Sequence, residues 1–394
     1  MDQDGNSTVG KSRPDQSRFK VTVFEQKDKA GGIWAPSATP DLDFPPQKIL
    51  DTENYNLPDV IQPLHLVPKE ANSATKENPW VQNLNNSDGD LDLKKSGRYP
   101  DLFTNIPSRW TRFSYLPNEE KYLDKNRLIY PFLTGNELVE RIENFIEDEK
   151  LGEHIRTNSR VEKVEKDRDN KWVLSIRHTN ENDTKEEWYQ EKFDAIVVAN
   201  GHYTVPNIPK IKGLAQYNRD HPGTLLHAKS YRDQNVFKDK KVLIVGGSIS
   251  TANLVQYVAP VAKEVFISRR NPHLVWTWIN QGLEAKGLNT KPFITEFEGN
   301  TVKFSDGSEE SDFDVVLFTS GYHYHYPFLT EHLKVIDPSN TSRVKGLYLQ
   351  TFAIDDPTLA IAGVAISAIS FHTIEANAAA TAGVCSGAKT LPPK

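Results

Sequence analysis

Cysteine is almost absent from this sequence, in which Cys385 is the single thiol among 394 residues. One cysteine excludes an intramolecular disulfide and any metal site of the CxxC type. The N-terminal stretch MDQDGNSTVGKSRPDQSR lacks the apolar core of a signal peptide, so we expect a cytoplasmic location. The longest apolar tract, residues 358–371, is too short and too rich in small residues to span a bilayer, and it is predicted to be buried core.

A long block of lysine and arginine is also lacking. The net charge is -6 and the pI is about 6.0, which gives no reason to expect nucleic acid or an anionic membrane as partner. Hydrophobic residues make up 37% and charged residues 25%, as in ordinary globular proteins with one large domain or two. Small molecules are therefore the expected partners, and the oligomeric state stays open.

The first half of the chain begins with a predicted strand, KVTVF (20–24). The Pro-, Asn- and Asp-rich text that follows includes residues 74–98, which have the composition of an exposed loop. Apolar residues at helical spacing predict a helix over 135–152 with a glycine stop. Short polar turns then predict an antiparallel meander, and FDAIVVANG (193–201) predicts a buried parallel strand.

The second half alternates strands with helices. Residues 240–260 predict a strand, a turn and a helix, and residues 263–270 predict the next strand. Residues 300–322 predict a hairpin that turns at Asp306-Gly307 and leads into another buried strand. This alternation predicts an α/β protein with two dinucleotide-binding sheets of Rossmann type.

The stretch VLIVGGSISTAN carries the clearest nucleotide-binding signal. Gly246, Ser248 and Ser250-Thr251 stand where a Rossmann turn has GxGxxG. The first glycine makes the tight turn, a small second residue lets the backbone approach a pyrophosphate, and the helix start supplies N–H donors. The next strand ends in Ser268-Arg269-Arg270 rather than in an acid, which favours the 2′-phosphate of NADPH.

A second signal lies in VTVFEQKDKAGGIW (21–34). Glu25 at the end of a strand suits the hydroxyls of a ribose, and Gly31-Gly32 before Trp34 permits a close turn against a cofactor. The glycine-rich turn that should precede Glu25 by about twenty residues is not found. GNSTVGKS (5–12) has P-loop spacing, but no apolar strand precedes it and Arg-Pro follows it.

Together with these stretches, several others resemble the flavin-containing monooxygenase family, and most closely its fungal members, over roughly residues 20–390. They are YPDLFTNIPSRWTRFSYLP (99–117), FDAIVVANGHYTVPNIPKIKGL (193–214), HPGTLLHAKSYR (221–232), TSGYHYHYPFL (319–329) and LYLQTFAIDDPTLAIAGVAISAISFHTIEANAAATAGVCSG (347–387). The most diagnostic is HPGTLLHAKSYR, which keeps Gly223, His227 and Tyr231 of the identifying pattern, with His221 and Arg232 as departures. Tyr231 also differs from the Trp of the Baeyer–Villiger relatives, so oxygenation of a soft nucleophile is favoured over lactone formation.

The resemblance implies an FAD domain in two parts (20–212 and 317–390) that encloses an NADPH domain (213–316), after an irregular tail (1–19). It implies that NADPH reduces FAD, that O2 forms a flavin hydroperoxide, and that a substrate sulfur or nitrogen takes one oxygen atom, with a secondary-metabolite pathway as one setting. Asn105 of the TN dipeptide is the implied catalytic residue. The implied cofactor contacts are Glu25, Gly31, Gly32, Trp34, Thr104, Asn105, Val161, Gly246, Ser248, Ser250, Thr251, Ala252, Asn253, Arg269 and Arg270.

The sequence also contains two closely spaced histidines, and it lacks a glycine-rich turn before Glu25. His323 and His325 alternate as they would on a strand, but two imidazoles without a third ligand make a poor metal site, so no metal is predicted. The missing turn has three explanations: an incomplete gene model, a truncated non-functional paralogue, or a variant that binds flavin differently. Without that turn and its strand, we expect weak flavin binding and an unpaired gap in the sheet. The alternative function is therefore that of a flavin-free NADPH-binding protein.

Overall fold

The computed structural model of the chain describes residues 19–84, 93–179, 184–329, 336–337, 340–365 and 367–393. The predicted N-terminal tail, apart from its last residue, and the P-loop spacing lie outside these ranges. The fold is α/β, as predicted, and it combines parallel with antiparallel sheets. In the part of the chain that is described, no helix is both long and apolar enough to cross a membrane.

The helices in these ranges are α1 (Gln47–Leu50), α2 (Pro58–Ile61), α3 (Gly135–Asp148), α4 (Leu214–Asp220), α5 (Ile249–Val258), α6 (Thr277–Leu283) and α7 (Ser370–Cys385). The strands are β1 (Val23–Phe24), β2 (Trp80–Asn83), β3 (Ile155–Arg156), β4 (Ser159–Lys166), β5 (Trp172–His178), β6 (Lys185–Phe193), β7 (Ile196–Val198), β8 (Leu225–His227), β9 (Lys241–Val245), β10 (Glu264–Ser268), β11 (Leu288–Lys291), β12 (Ile294–Glu298), β13 (Thr301–Phe304), β14 (Glu309–Ser311), β15 (Val315–Phe318), β16 (Ile336–Asp337), β17 (Asn340–Val344), β18 (Leu347–Tyr348), β19 (Phe352–Ala353) and β20 (Leu359–Ile361).

A five-stranded parallel sheet carries the second predicted nucleotide-binding unit. Its order is β11-β10-β9-β15-β8, and all neighbouring strands run parallel. Its central strands read as continuous apolar runs because both faces are covered, and the side chains of β15 are at most 2% exposed. Helix α5 connects β9 to β10, which confirms the predicted strand, turn, helix and strand. The hairpin of β13 and β14 is also confirmed, with Gly307 at a φ of 82° in its turn.

The predicted antiparallel meander is present, but its sheet has two strands, β2 and β6, that the sequence does not indicate. The order is β2-β6-β5-β4, with β2 at the edge. The prediction that residues 74–98 form an exposed loop is therefore wrong for β2, and it is also wrong for the buried residues Leu93, Ser96 and Arg98. Composition missed these contacts because strand pairing joins Trp80 to Trp188, which is far away in sequence.

The strands assigned to the first unit lie in two separate sheets. Strand β1 pairs in parallel with β3, while β7 pairs in parallel with β20, which continues to β19 and β18. Among the described residues β1 and β7 each have one partner strand, so they are not joined in one sheet. The prediction of a fully buried strand at β7 is wrong in part, because Val197 is 52% exposed.

Helix α3 confirms the predicted helix but ends earlier. Thr134 and Glu137 form a capping box, in which each side chain accepts a hydrogen bond from the other residue's backbone. The helix ends at Asp148, and Lys150 rather than Gly152 adopts the left-handed conformation, so the predicted glycine stop is wrong. In the apolar tract 358–371, Leu359, Ile361 and Val364 are buried as predicted, whereas Ile369 is 42% exposed.

Candidate functional site

The glycine-rich turn between β9 and α5 has the geometry that its sequence predicts. Gly246 has a φ of 154°, and a Cβ atom there would lie 2.3 Å from Oγ1 of Thr319. A Cβ atom on Gly247 would lie 2.9 Å from Cβ of Arg269. A side chain at Gly246 would therefore collide with the next strand's end, so only glycine fits, and the turn offers bare backbone to a ligand.

The start of α5 leaves hydrogen-bond donors available. Ser248 is the exposed N-cap residue, and its side chain caps no backbone amide of the helix. Its hydroxyl and the first amides of the helix suit a phosphate group, and the half-buried residues Ser250, Ala252 and Asn253 follow directly. Thr251 differs, because it is fully buried and its Oγ1 lies 2.8 Å from Oγ1 of Thr319. The hydroxyl of Thr251 is therefore hydrogen-bonded within the protein interior and is not presented to a ligand.

The residues after β10 divide into bonded and exposed groups. The hydroxyl of Ser268 donates to the carbonyl of Pro292 (2.8 Å). Arg269 donates from Nη1 to Oδ1 of Asn280 (3.0 Å) and from Nη2 to Glu284. The side chain of Arg270 is exposed. Of the residues predicted to meet a 2′-phosphate, Arg270 is thus the one that presents its charge to solvent.

Glu25 follows β1 directly, as predicted. Its amide donates to the carbonyl of Arg156 (2.9 Å), and its carboxylate accepts a hydrogen bond from the amide of Lys27 (2.9 Å). Burial is the largest cause that raises the pKa of the Glu25 carboxyl above its usual value. A carboxylate can accept further hydrogen bonds, so Glu25 fits a contact with ribose hydroxyls.

The turn after Glu25 is built on two glycines with positive φ, 124° at Gly31 and 55° at Gly32. Trp34 ends this turn, and its carbonyl accepts a hydrogen bond from Nη1 of Arg98 (2.9 Å). Arg98 is 4% exposed, also donates to Asn136 in α3, and has no described partner for Nε. Arg98 therefore joins the glycine turn to the start of α3.

Val161 lies on β4, close to Glu25. The connection is made at the start of the strand, where the amide of Ser159 donates to the carbonyl of Glu25 (2.8 Å). Val161 pairs with Ile176 of β5, and the register shift that follows leaves Glu162 out of the pairing. The role of Val161 as a backbone contact stays a prediction.

The TN dipeptide stands on a loop held against the start of α3. The backbone and Oγ1 of Thr104 both bond to Leu133, at 2.8 and 3.0 Å, and Oγ1 also donates to the carbonyl of Ile106 (2.9 Å). Thr104 is buried, whereas Asn105 is exposed. The threonine therefore holds the loop, and the asparagine side chain is available to a ligand.

One segment, residues 98–114, contacts two of the predicted cofactor-binding elements and helix α7. Through Arg98 it bonds to Trp34 in the glycine turn, and the carbonyl of Asp101 accepts a hydrogen bond from the hydroxyl of Tyr257 in α5 (2.9 Å). Its other end meets α7, where Ser114 donates from its amide and hydroxyl to the carboxylate of Glu375 (2.8 and 2.7 Å). Along the chain, Asn105 lies between Asp101 and Ser114, and it is exposed.

A family model described as "FMO-like: Flavin-binding monooxygenase-like" matches residues 88–287 and 280–394. The chain belongs to this family. The monooxygenase relatives include flavin-containing monooxygenase FMO GS-OX-like 9 of Arabidopsis thaliana, which is 31% identical over 95% of this chain and 72% of its own length. A fungal relative, flavin-containing monooxygenase ustF2 of Aspergillus flavus, is 25% identical over 95% of this chain and 79% of its own.

Other monooxygenase relatives match a smaller part. Trimethylamine monooxygenase of Methylocella silvestris is 35% identical over 53% of this chain, and the chain spans only 44% of that relative's length. Among solved structures, the S-allyl-L-cysteine S-oxygenase of Allium sativum superposes with a TM-score of 0.67 at 25% identity, covering 94% of this chain and 72% of the other. Tmm of a Pelagibacter strain, at 21% identity and a TM-score of 0.70, shows the same fold.

The diagnostic motif HPGTLLHAKSYR (221–232) has a structural role in this chain. Nδ1 of His227 accepts a hydrogen bond from the amide of Lys229 (3.1 Å), so Nε2 carries the proton and donates to the carbonyl of Gly321 (3.1 Å). Burial lowers the pKa of His227 to about 3. The ring of Tyr231 packs 5.1 Å from that of Tyr99. The motif thus supports the segment that carries Asn105.

The sequence did not indicate that Arg98, Tyr257 and Glu375 hold the segment 98–114 in place. Local spacing carries no signal for contacts between residues so far apart in the chain. His323 and His325 lie in the segment that follows β15, and no strand is assigned to them. Nε2 of His325 lies 3.0 Å from Oδ1 of Asp59. Among the residues described, no group of three or more His, Cys, Asp or Glu is placed to hold a metal ion.

Proposed function

We propose that this chain is an FAD- and NADPH-dependent monooxygenase that transfers one oxygen atom of O2 to a sulfur or nitrogen centre of a small molecule. The observation that carries the proposal is the segment 98–114, which contacts the glycine turn, α5 and α7 and carries the exposed Asn105 between those contacts along the chain. Relatives named trimethylamine monooxygenase and senecionine N-oxygenase, and a structural neighbour named S-allyl-L-cysteine S-oxygenase, support the substrate class.

The predicted contact residues form two groups, one that would hold the flavin and one that would hold NADPH. Glu25, Gly31, Gly32, Trp34 and the backbone of Val161 would hold the flavin, and Thr104 would fix the loop that brings Asn105 to it. The turn at Gly246, with Ser248, Ser250, Ala252, Asn253 and the backbone of Thr251, would hold NADPH, and Arg270 would meet its 2′-phosphate. The corresponding domains are the FAD domain, 20–212 with 317–390, and the NADPH domain, 213–316.

When bound, the flavin supplies the oxygen-activating chemistry, with electrons from NADPH. The protein's part is to bind, to orient and to exclude water. Asn105 would hold the flavin and the nicotinamide in register, because its amide offers both donors and an acceptor. The buried Thr104 and Arg98 keep the loop rigid, so that Asn105 does not have to be ordered when the cofactors bind.

A flavin-free NADPH-binding protein is the second candidate. One observation favours it: β1, the strand before Glu25, has only two residues and, in the described part, a single partner strand. The elements around Gly246, in contrast, form a complete five-stranded sheet. Nucleotide binding at Gly246 does not depend on the strands around Glu25.

Flavin retention tests the proposal. The purified protein is incubated with excess FAD and desalted, and the flavin absorbance is compared with protein concentration, alongside the variants Glu25→Gln and, as a control at an exposed position, Glu53→Gln. Near-stoichiometric flavin that falls only in Glu25→Gln supports the oxygenase and leads to product analysis with NADPH and a tertiary amine or a thioether. A folded protein that binds NADPH but retains no flavin rejects it in favour of the second candidate.

A further inference from the structure

An exposed tryptophan lies on the loop that carries Asn105. The hydroxyls of Thr104 and Thr111 both donate to the carbonyl of Ile106, at 2.9 and 3.3 Å, so the chain between them is folded into a closed loop. Asn105 follows the first threonine and Trp110 precedes the second, and both side chains are exposed. The indole of Trp110 is 45% exposed. The closed loop therefore carries two exposed groups that a ligand could contact, an amide and an indole.

One ring of α7 packs against this indole. The ring centroids of His372 and Trp110 lie 5.9 Å apart, with the planes inclined by 62°. Nδ1 of His372 is buried and has no hydrogen-bond partner among the residues that the structure describes. Buried polar atoms without a partner are rare in proteins, and each one calls for an explanation. The side chain as a whole is half-buried, so the imidazole joins an enclosed nitrogen to solvent.

The charges near this pair of rings favour a cation. Glu375 lies one helical turn after His372, and its carboxylate accepts hydrogen bonds from the amide and the hydroxyl of Ser114 (2.8 and 2.7 Å). The start of α7 carries about half a positive charge, which is smaller than the full negative charge of that carboxylate. Tyr115, which follows Ser114, stays neutral because burial raises its pKa to about 12. The balance of these charges is therefore negative.

The arginines of the same segment are already bonded. Nη1 of Arg109 pairs with Oε1 of Glu120 at 2.9 Å. Arg112 donates to the carbonyls of Arg109 and Ser114, both at 3.1 Å. None of the cation–ring contacts among the described residues involves Trp110. The exposed indole is thus open to a cation from outside the chain, and indole is the aromatic side chain that binds cations best.

We propose that Trp110 and His372 bind the protonated form of an amine substrate and prepare it for oxygenation. The indole holds the alkylammonium group, and Nδ1 of His372 accepts its proton. The N–H bond of the substrate breaks, an N–H bond forms on the imidazole, and the lone pair stays on the substrate nitrogen. The imidazolium then returns the proton to solvent.

This step separates nitrogen from sulfur substrates. An amine must lose its proton before the nitrogen can take an oxygen atom, whereas a thioether carries no such proton. The inference rests on the proposed function, of which it selects the nitrogen branch. His372 is then a catalytic residue for amines alone, and Trp110 determines the preference for a cationic substrate.

Binding of tetramethylammonium by the full chain tests the cation site without turnover. This ion has a fixed charge and no proton to lose, so it requires the indole but not the base. We expect Trp110→Ala to weaken its binding about tenfold in isothermal titration, and Trp110→Phe and His372→Gln to retain most of it. Trp80→Ala, which removes a 37% exposed tryptophan from the edge strand β2, is the matched control and should not change the affinity. Circular dichroism shows whether each variant is folded.

Turnover of the flavin-loaded protein with NADPH tests the base. Trimethylamine and dimethyl sulfide are similar in size, but only the amine is protonated at neutral pH. We expect His372→Gln to lower kcat/KM for trimethylamine about a hundredfold and to leave kcat/KM for dimethyl sulfide unchanged. The loss should shrink at alkaline pH, where the free amine is present without a base. His154→Gln, at an exposed position, is the control and should change neither value.

Three results would overturn the inference. The first is tetramethylammonium binding that is absent or is the same in Trp110→Ala as in the wild type. The second is an equal loss of both substrates in His372→Gln, and the third is a loss for trimethylamine that does not change with pH. If tetramethylammonium binding depends on Trp110 but no flavin is retained, the cation site stands and the oxygenase proposal fails. If both substrates are oxygenated equally by wild type and variants, the oxygenase proposal stands and this inference fails.

Discussion

Asn105 is exposed on a loop that Thr104 bonds to Leu133, so its side chain contributes little to folding and is available to a ligand. We expect Asn105→Ala to leave the thermal midpoint unchanged while NADPH oxidation becomes uncoupled from product formation, because cofactor orientation is lost. The measurement is the ratio of product formed to NADPH consumed in the flavin-loaded protein. Asn126→Ala, at another exposed position, is the control. An unchanged ratio would remove Asn105 from the mechanism.

A single methyl group at Gly246 would collide with the backbone and side chain of Thr319. A Cβ atom would lie 2.3 Å from Oγ1 and 2.7 Å from the carbonyl oxygen of Thr319, and the φ of 154° disfavours any side chain. We expect Gly246→Ala to lower the free energy of unfolding by about 2 to 4 kcal/mol and to weaken NADP+ binding. Gly282→Ala is the matched control, because no atom lies within 4 Å of its Cβ position and alanine favours the helix. Equal stability of the two variants would contradict the steric argument.

At the scale of elements, α3 is stabilised at its start by Glu137, which completes the capping box and forms an ion pair with Arg127. The hydrogen bond from Arg127 is the largest cause that lowers the pKa of Glu137 to about 2. Because the folded-state pKa lies below the unfolded value, this stabilisation is present above about pH 4.5 and is lost as the pH falls toward about 2.

Glu137→Gln keeps the capping hydrogen bonds and removes the charge. We expect it to be about 1 kcal/mol less stable than the wild type at neutral pH, a modest value because the Glu137 side chain is 36% exposed, and we expect the difference to shrink as the solution is acidified. Urea unfolding at several pH values measures it, with Glu140→Gln on an exposed position of the same helix as control. A difference that is independent of pH would assign the effect to helix propensity.

The elements most accurately predicted are those whose signals are local. The unit from β9 through α5 to β10 was predicted because an apolar run, a glycine turn and a helix follow one another within a few residues. The edge strand β2 was missed because only its pairing with β6 defines it. The predicted end of α3 was wrong because a left-handed lysine, Lys150, replaced the expected glycine.

At the scale of the whole molecule, buried histidines couple folding to pH. Burial lowers the pKa of His227 to about 3 and those of His202 and His323 to about 4. These groups stay neutral in the folded chain but bind protons when it unfolds below about pH 6.5, so the free energy of unfolding falls as the pH falls from there toward about 4.

If all three histidines bind a proton on unfolding, the free energy of unfolding changes with pH by about 4 kcal/mol per pH unit, because each proton contributes about 1.4 kcal/mol per pH unit. We expect His227→Gln to reduce the slope by one such contribution, because glutamine can still donate to Gly321 but does not titrate. Urea unfolding between about pH 4 and pH 6.5 measures the slope, with the exposed His154→Gln as control. The same slope in wild type and His227→Gln would show that His227 is not protonated on unfolding.

Motifs of residues close together in the chain were enough to predict the α/β class, the glycine turn at Gly246, the acid after β1 and the resemblance to the monooxygenase family. The folded structure was needed to show that Arg269 is bonded while Arg270 is exposed, that the hydroxyl of Thr251 faces Thr319, and that Arg98 joins the glycine turn to α3. These contacts join residues brought together by packing, and sequence spacing carries no information about which hydrogen-bond partners packing will supply.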